Sequence, residues 1–177
     1  MARKQSDDPE ARAEETLASL NIRSLPIPVE KVAKGLGAQV RFSPLDEELS
    51  GMIFIKDGVP IIGVNALHHP NRQRFTISHE IGHLVLHKDM ITAEVHVDKG
   101  FPILMRDAIS ATGTQQLEIA ANRFASALLM PMSFLKQALA GKSIDIDDEK
   151  SLEALAKKFR VSRQALEYRM RKLTELG

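Results

Sequence analysis

The chain has 177 residues, of which 44% are hydrophobic and 27% are charged, enough for one buried core with a small appended module but not for two full domains. Its 24 Lys and Arg residues are nearly balanced by 23 Asp and Glu, which argues against a protein that coats nucleic acid through charge alone. Cysteine is absent, and this excludes disulfides, thiolate zinc sites and cysteine catalysis.

The apolar segments are too short for a membrane helix, which needs roughly 20 consecutive apolar residues. Residues 1–8 are polar and lack the apolar stretch of a signal peptide. We therefore expect a cytoplasmic protein with no membrane association and a frayed N-terminal segment.

The first part of the chain predicts two helices. Pro9 and the acidic residues after it indicate a helix that ends near Leu20. A second, short helix is expected within residues 25–37, where Gly35 or Gly37 closes it.

The pattern then changes to that of β-strands. Three segments have strand composition, at residues 38–42, 51–56 and 60–65. Asp57-Gly58 between the last two segments predicts a tight turn and hence a β-hairpin.

Helical periodicity returns at Pro70 and continues to Lys88. Residues 89–114 are the least regular part, with an extended piece at residues 93–97, and a connection of that length is usually functional or mobile. Two further helices are expected, one over residues 115–130 that Pro131 stops and a short one that ends at Gly141.

The C-terminal residues have the layout of a helix-turn-helix. Small Ala156 permits close helix contact, Val161 fills the turn and Ser162 can cap the second helix. Residues 157–172 carry seven Lys or Arg against one Glu. DNA binding is therefore possible but not favoured, because such a pair can equally complete the domain or dock a protein partner.

Residues 79–83 read His-Glu-Ile-Gly-His, an HExxH motif inside a helical pattern. Residues four apart share one helix face, so His79 and His83 can reach one metal ion. A catalytic zinc site keeps one position open for water. Glu80 would lie beside that water and accept its proton for attack on a peptide carbonyl.

Three residues are candidates for the third ligand. His87 lies about 12 Å along a straight helix from His79, and the glycine turn of HExxHxxGxxH proteases is missing. Glu118 lies on a second periodic helix that can pack across the first, and two histidines with a glutamate form a known catalytic set. We therefore favour Glu118 over His87 and over His96 on the irregular segment.

Two residues are expected to support the ligands rather than to bind the metal. Asn122, one turn after Glu118, could hydrogen-bond the outer nitrogen of a ligating histidine and fix its tautomer. His87 is assigned the same supporting role or a purely structural one. The predicted ion is Zn²⁺, although Mn²⁺ or Fe²⁺ also suits this ligand set.

Several other residues have two possible interpretations. His68, His69, Arg72 and Arg74 could orient substrate, but capping and a solvated helix face explain them as simply. Tyr168 is more readily explained by packing than by catalysis. The predicted hairpin is either a sheet edge that binds substrate over the metal or an ordinary core hairpin, and both readings stay open.

The segments HPNRQRFTISHEIGHLVLH and EIAANRFASALLMP resemble the ImmA/IrrE family of metallopeptidases, found with phage-type and mobile-element repressors and in stress responses. LPIPVEKVAKGLG, SGMIFIKDG, IIGVN and AKKFRVSRQALEYRM fit the same pattern, so the resemblance covers roughly residues 12–175. It implies zinc ligation by His79, His83 and Glu118, with Glu80 as the base. Relatives often carry an acidic residue where this chain has Ala120.

The resulting fold class is α+β, with a zincin-like, gluzincin-type core, a small mixed or antiparallel sheet and a helix-turn-helix-like segment. Residues 1–140 would form the metallopeptidase domain, on which residues 141–177 pack. The resemblance implies a zinc endopeptidase that cuts a helix-turn-helix (Xre-type) repressor and so relieves repression of stress or mobile-element genes. The alternative is a DNA- or repressor-binding regulator with a non-catalytic metal site.

Overall fold

The computed structural model of the chain describes residues 7–91, 111–139 and 148–175. The predicted extended piece at residues 93–97, with His96, lies outside these ranges, as does the predicted helix end at Gly141.

The described residues are mostly helical and contain one small sheet, so the α+β prediction is confirmed. The helices before and beside the sheet are α1 (Pro9–Ser19), α2 (Val29–Gly35), α3 (Pro70–Leu86) and α4 (Lys88–Ile91). The later helices are α5 (Ala111–Leu129), α6 (Met132–Leu139), α7 (Glu149–Phe159) and α8 (Arg163–Glu175). Within these ranges, no helix is both long and apolar enough to cross a membrane.

The sheet has three strands, β1 (Gln39–Ser43), β2 (Gly51–Lys56) and β3 (Val59–Asn65), in the order β1-β3-β2. β3 pairs with β1 in parallel and with β2 antiparallel. Asp57 and Gly58 have φ angles of 51° and 77°, which is the turn that suits a two-residue hairpin. The hairpin is confirmed, and β2 is one edge of the sheet.

One buried cluster joins the central strand, the motif helix and the C-terminal helices. All residues of β3 are buried or partly buried, whereas the residues of β1 other than Val40 are exposed. The cluster includes Ile62, Val64, Ile77, Ile81, Phe124, Leu128, Phe159 and Leu166. The helix that carries the HExxH motif is therefore anchored on its apolar side by the core, and its other side is left for polar groups.

The motif helix is shorter than predicted. It ends at Leu86 instead of Lys88, because His87 leaves helical geometry with φ −128° and ψ 31°. The His87 backbone N–H still donates to the His83 carbonyl at 2.8 Å, and α4 starts at the next residue.

Candidate metal centre

Close packing of α3 against α5 brings the two halves of the candidate site together. At the crossing, a Cβ on Gly82 would lie 3.1 Å from the Ala121 carbonyl oxygen and 3.2 Å from the Phe124 ring. The missing side chain thus allows the helices to approach closely. Gly82 lies between the two motif histidines in sequence, so the approach is closest where the candidate ligands lie.

Across this contact, His79, His83 and Glu118 face one point. The Nε2 atoms of His79 and His83 are 3.0 Å apart. The Glu118 carboxylate has one oxygen 3.2 Å from His79 Nε2 and the other 3.3 Å from His83 Nε2. Two imidazoles and a carboxylate therefore form a compact triangle of nitrogen and oxygen atoms.

This triangle fits a metal ion. Zinc–nitrogen and zinc–oxygen bonds of about 2.0–2.1 Å place tetrahedral ligands about 3.3 Å apart, and the separations of 3.0, 3.2 and 3.3 Å are close to that value. Among the described residues, His79, His83 and Glu118 form the one group of histidine and carboxylate side chains whose ligand atoms lie close enough together to hold an ion. Three protein ligands leave one tetrahedral position open.

The outer nitrogen of His79 is held by Asn122. His79 Nδ1 lies 2.9 Å from Asn122 Oδ1. Because an amide oxygen only accepts hydrogen bonds, Nδ1 carries the proton of neutral His79 and Nε2 keeps its lone pair toward the triangle. The contact is the one that the sequence analysis expected of Asn122.

The outer nitrogen of His83 faces His87. The two Nδ1 atoms are 3.2 Å apart, so His87 lies on the side of the His83 ring away from Glu118. Burial, with the adjacent charge of His83, lowers the pKa of His87 to about 4. His87 is therefore neutral near pH 7 and can accept a hydrogen bond from His83 Nδ1–H.

The charges at the triangle favour an anionic glutamate. Hydrogen bonds from His79 and His83 hold the pKa of Glu118 well below its usual range. Burial opposes protonation of His79, but the hydrogen bond to Glu118, the charges of Glu80 and Glu118 and the contact with Asn122 together outweigh burial, and the pKa of His79 is raised.

Glu80 lies beside the triangle and interacts with the charges of His79, His83 and Glu118. It is buried, and burial raises its pKa despite the two neighbouring histidines. Glu80 lines the same cleft as His79, His83 and Glu118. A carboxylate in that position can accept a proton from a molecule that enters the cleft.

The cleft in front of the triangle has a volume of about 500 Å³. The edge strand β2 forms one wall through Met52, Ile53 and Phe54, and α3 forms the floor. The loop before β2 and the start of the segment after α3 line the remaining sides. β3 thus belongs to the core and β2 is an edge strand that borders the cleft, while substrate binding along that edge stays a prediction.

Comparison with known proteins agrees with this arrangement. A sequence model of the Peptidase M78 family, described as the IrrE N-terminal-like domain, matches residues 33–171. The chain belongs to this family. Its fold is accordingly that of a zincin-like M78 domain.

A solved structure described as a Mycobacterium tuberculosis transcriptional regulator has a similar fold, with a TM-score of 0.60 and 20% sequence identity. The match covers 90% of this chain and 45% of that one, so the M78 chain spans about half the length of its structural neighbour. No curated protein matches the chain.

The remaining candidates from the sequence lie at different places in the M78 domain. Arg72 lines the cleft. His69 caps α3 by accepting a hydrogen bond from the Asn71 backbone N–H at 3.1 Å. Arg74 donates to the Arg160 carbonyl at 3.2 Å, on a side of α3 that does not line the cleft.

Two further residues lie outside the cleft. His68 Nε2 lies 3.0 Å from the Glu47 carbonyl oxygen, on the loop before β2. Tyr168, which was expected to pack among the C-terminal helices, is instead 59% exposed. That expectation is wrong, because α8 turns the neighbouring Arg169 inward and Tyr168 outward.

The C-terminal helices turn a large part of their positive charge inward or toward acidic partners. Arg169 is buried and donates to Glu10 of α1 at 2.6 Å. Arg163 pairs with Glu149 and Glu167. The Ser162 hydroxyl accepts from the Ala165 backbone N–H at 3.1 Å, so the predicted cap of the second helix is confirmed.

Sequence reasoning missed the residues of the cleft walls. Leu49, Ser50, Met52 and Met90 line the cleft of the M78 domain, but none of them belongs to a motif. The available signal was the apolar, strand-like composition of residues 51–56, which indicated a strand without showing that it lies at an edge. Strand order follows from tertiary packing, so sequence alone could not supply it.

Proposed function

We propose that this chain is a zinc-dependent, site-specific endopeptidase. The convergence of His79 Nε2, His83 Nε2 and the Glu118 carboxylate at separations of 3.0–3.3 Å, at one side of an open cleft, carries the proposal. A zinc ion, when bound, polarises a carbonyl oxygen and lowers the pKa of a water molecule. The open fourth position suits that catalytic use better than a structural one.

The protein groups then have distinct tasks. Glu80 takes the proton of the attacking water and passes it to the leaving amine. Asn122 and His87 hold the two histidine rings through their outer nitrogens, at 2.9 and 3.2 Å. These contacts keep both Nε2 lone pairs directed at the ion, which preserves the ligand geometry during turnover.

The edge strand supplies a way to bind a polypeptide. In the described part of the chain β2 pairs with β3 on one side only. An extended peptide can add to such an edge through backbone hydrogen bonds. Met52 and Phe54, which share one face of β2, would then contact substrate side chains on that face, and Ile53 those on the other face. A peptide bond carried along this edge would pass the metal centre.

The proposed substrate is a helix-turn-helix (Xre-type) transcriptional repressor, and the output is relief of repression of stress or mobile-element genes in the cytoplasm. The resemblance to ImmA/IrrE proteins supports this proposal. So does the description of the similar structure as a transcriptional regulator. A cut between the DNA-binding and dimerising parts would remove cooperative operator binding.

A second candidate is a DNA- or repressor-binding regulator whose metal site is not catalytic. The basic run at residues 157–172 is the observation that favours it. Two observations count against it: Arg169 is buried against Glu10, and a non-catalytic site has no use for Glu80. We therefore rank it below the peptidase.

The decisive experiment combines the purified, zinc-loaded chain with the repressor encoded beside it and measures the intact masses of the products. We expect one cut by the wild type. Glu80→Gln should slow it by at least about a hundredfold, because it removes the base. Zinc content should stay unchanged, since Glu80 is not a ligand.

The matched control is Glu48→Gln, the same substitution at an exposed carboxylate that lines the cleft without joining the metal centre. It should still cleave. Undiminished cleavage by Glu80→Gln would contradict the mechanism. An intact repressor in the presence of zinc-loaded wild type would favour the binding regulator.

A further inference from the structure

A buried amide fixes the loop that precedes the edge strand. Asn65, at the end of β3, has no solvent exposure. Its Oδ1 accepts from the Leu45 and Leu67 backbone N–H groups, and its Nδ2 donates to the carbonyls of Leu45, Asp46 and Leu49 at 2.9–3.3 Å. This amide, together with Gln73, which donates to the Asn65 carbonyl, leaves residues 45–50 little freedom.

The fixed loop positions Ser50 between the sheet and α3. The Ser50 carbonyl accepts from the Asn65 backbone N–H at 2.9 Å. The Ser50 hydroxyl accepts from Arg72 Nη2, also at 2.9 Å. The hydroxyl thus ties the Arg72 guanidinium to the wall of the cleft, while its remaining N–H groups have no hydrogen-bond partner in the described residues.

Arg72 lies at a defined distance from the metal centre. It is seven residues before His79 on the same helix, about 10 Å along the axis at 1.5 Å per residue. An extended peptide advances about 3.3 Å per residue. A peptide in the cleft that presents its scissile bond to the ligands would therefore bring a side chain to Arg72 about three residues away.

Arg72 forms no ion pair with a carboxylate among the described residues that line the cleft. Among the described residues that line the cleft, Arg72 is the one that is a lysine or arginine. The carboxylates that line the cleft are Glu48, Glu80 and Glu118. Glu80 and Glu118 belong to the metal centre. Glu48 is exposed and makes no ion pair with Arg72 in the described chain. The group that Ser50 orients at this end of the cleft is the Arg72 guanidinium. A guanidinium can donate two parallel hydrogen bonds to a carboxylate.

We propose that Arg72 is a specificity-determining residue that binds an acidic side chain of the substrate, Asp or Glu, about three residues from the cleaved bond. This inference rests on the proposed peptidase function. Ser50 is its positioning residue, because the hydroxyl orients the guanidinium without needing to touch the substrate.

The test begins with a random mixture of short peptides incubated with the zinc-loaded full chain, and mass spectrometry identifies the cut products. We expect Asp and Glu to be enriched about three residues from the cut. Two single peptides that differ only by Glu or Gln at that position should then differ by about tenfold in kcat/KM, the worth of one charge-assisted hydrogen bond.

Variants separate recognition from folding. Arg72→Gln should remove the preference for the Glu peptide over the Gln peptide, and Arg72→Glu should favour a Lys peptide. Ser50→Ala should reduce the preference without removing the charge. The matched control is Arg74→Gln, the same substitution on the same helix at a side chain that donates to the Arg160 carbonyl; it should keep the preference.

Binding measured in parallel distinguishes failure of the Arg72 site from failure of the proposed peptidase activity. Fluorescence anisotropy of the Glu and Gln peptides is recorded with zinc-loaded Glu80→Gln protein. Preferential binding of the Glu peptide without cleavage by the wild type would overturn the peptidase and support the Arg72 site. Equal binding and equal cleavage of the two peptides would overturn the site alone. A preference for basic side chains that Glu48→Gln removes would overturn it as well.

Discussion

The metal centre and the C-terminal helix pair use their polar side chains in opposite ways. At the metal centre, the two imidazole nitrogens that can each donate a lone pair to a metal ion lie 3.0 Å apart, and the Glu118 carboxylate contacts both. In the helix pair, cations face anions: Arg169 meets Glu10, and Lys157 meets Glu153.

The difference indicates which region binds something from outside the chain. Two lone pairs facing each other are unfavourable unless a proton or a metal ion lies between them. Opposite charges already in contact are satisfied and offer little to a partner. A motif therefore becomes evidence of a site when the fold leaves its groups converging on one point, and the C-terminal motif does not meet that condition.

Removal of one ligand from the metal centre should have the largest effect of the substitutions considered. Glu118→Ala should abolish stoichiometric zinc binding, because two histidines alone leave the ion weakly held. Calorimetric titration with zinc measures it. The matched control is Glu153→Ala, a similarly exposed helical glutamate, whose surface pair with Lys157 contributes only a few tenths of a kcal/mol. Unchanged zinc affinity in Glu118→Ala would exclude it as a ligand.

A smaller disturbance acts on the helix crossing. Gly82→Ala should lower stability by about 1–3 kcal/mol through overpacking, because the new Cβ meets backbone atoms of Ala121 at 3.1–3.2 Å. It should also weaken zinc binding, since α5 carries Glu118. Urea unfolding and zinc titration measure the two effects.

Gly35→Ala is the control for that change. Its Cβ meets only the side chain of Leu20, which can rotate away. We expect a stability change without a change in zinc affinity. Equal zinc affinity in both variants would mean that the α3–α5 distance does not determine the ligand geometry.

Substitutions in the C-terminal helix pair should change the stability of the protein but not its affinity for zinc. Arg169→Met should cost about 2 kcal/mol, because it leaves the partly buried Glu10 carboxylate with only its longer, 3.5 Å contact to Arg123. Arg163→Met, at a half-exposed arginine, should cost less than about 1 kcal/mol. Denaturant unfolding compares them. A loss of DNA binding at physiological salt in Arg163→Met, with stability retained, would reverse the interpretation of this region.

The smallest effect is expected from loss of the hydrogen bond between Asn122 and His79. Asn122→Ala should weaken zinc binding by about tenfold, since His79 loses the acceptor that fixes its tautomer. Zinc titration of the variant measures it. Asn122→Asp, which keeps an acceptor oxygen at the same place, should retain the affinity. An equal loss in both variants would assign Asn122 to helix packing.

The local elements followed closely from sequence. The Asp57-Gly58 turn, the start of α3 at Pro70 and the cap by Ser162 depend on neighbouring residues, and all three were predicted. The end of α3 was wrong by two residues, because His87 turns its ring toward His83. Helix ends are decided by side-chain contacts as well as by propensity.

The sequence by itself determined the spacing of His79, Glu80 and His83, because the period of one helix sets which residues share a face. Tertiary structure alone decided that Glu118 approaches both histidines, that β2 is an edge strand beside them, and that Ser50 holds Arg72 at the cleft. Those relations join residues far apart in the chain. They depend on close contacts such as Gly82 against Ala121, which no local pattern encodes.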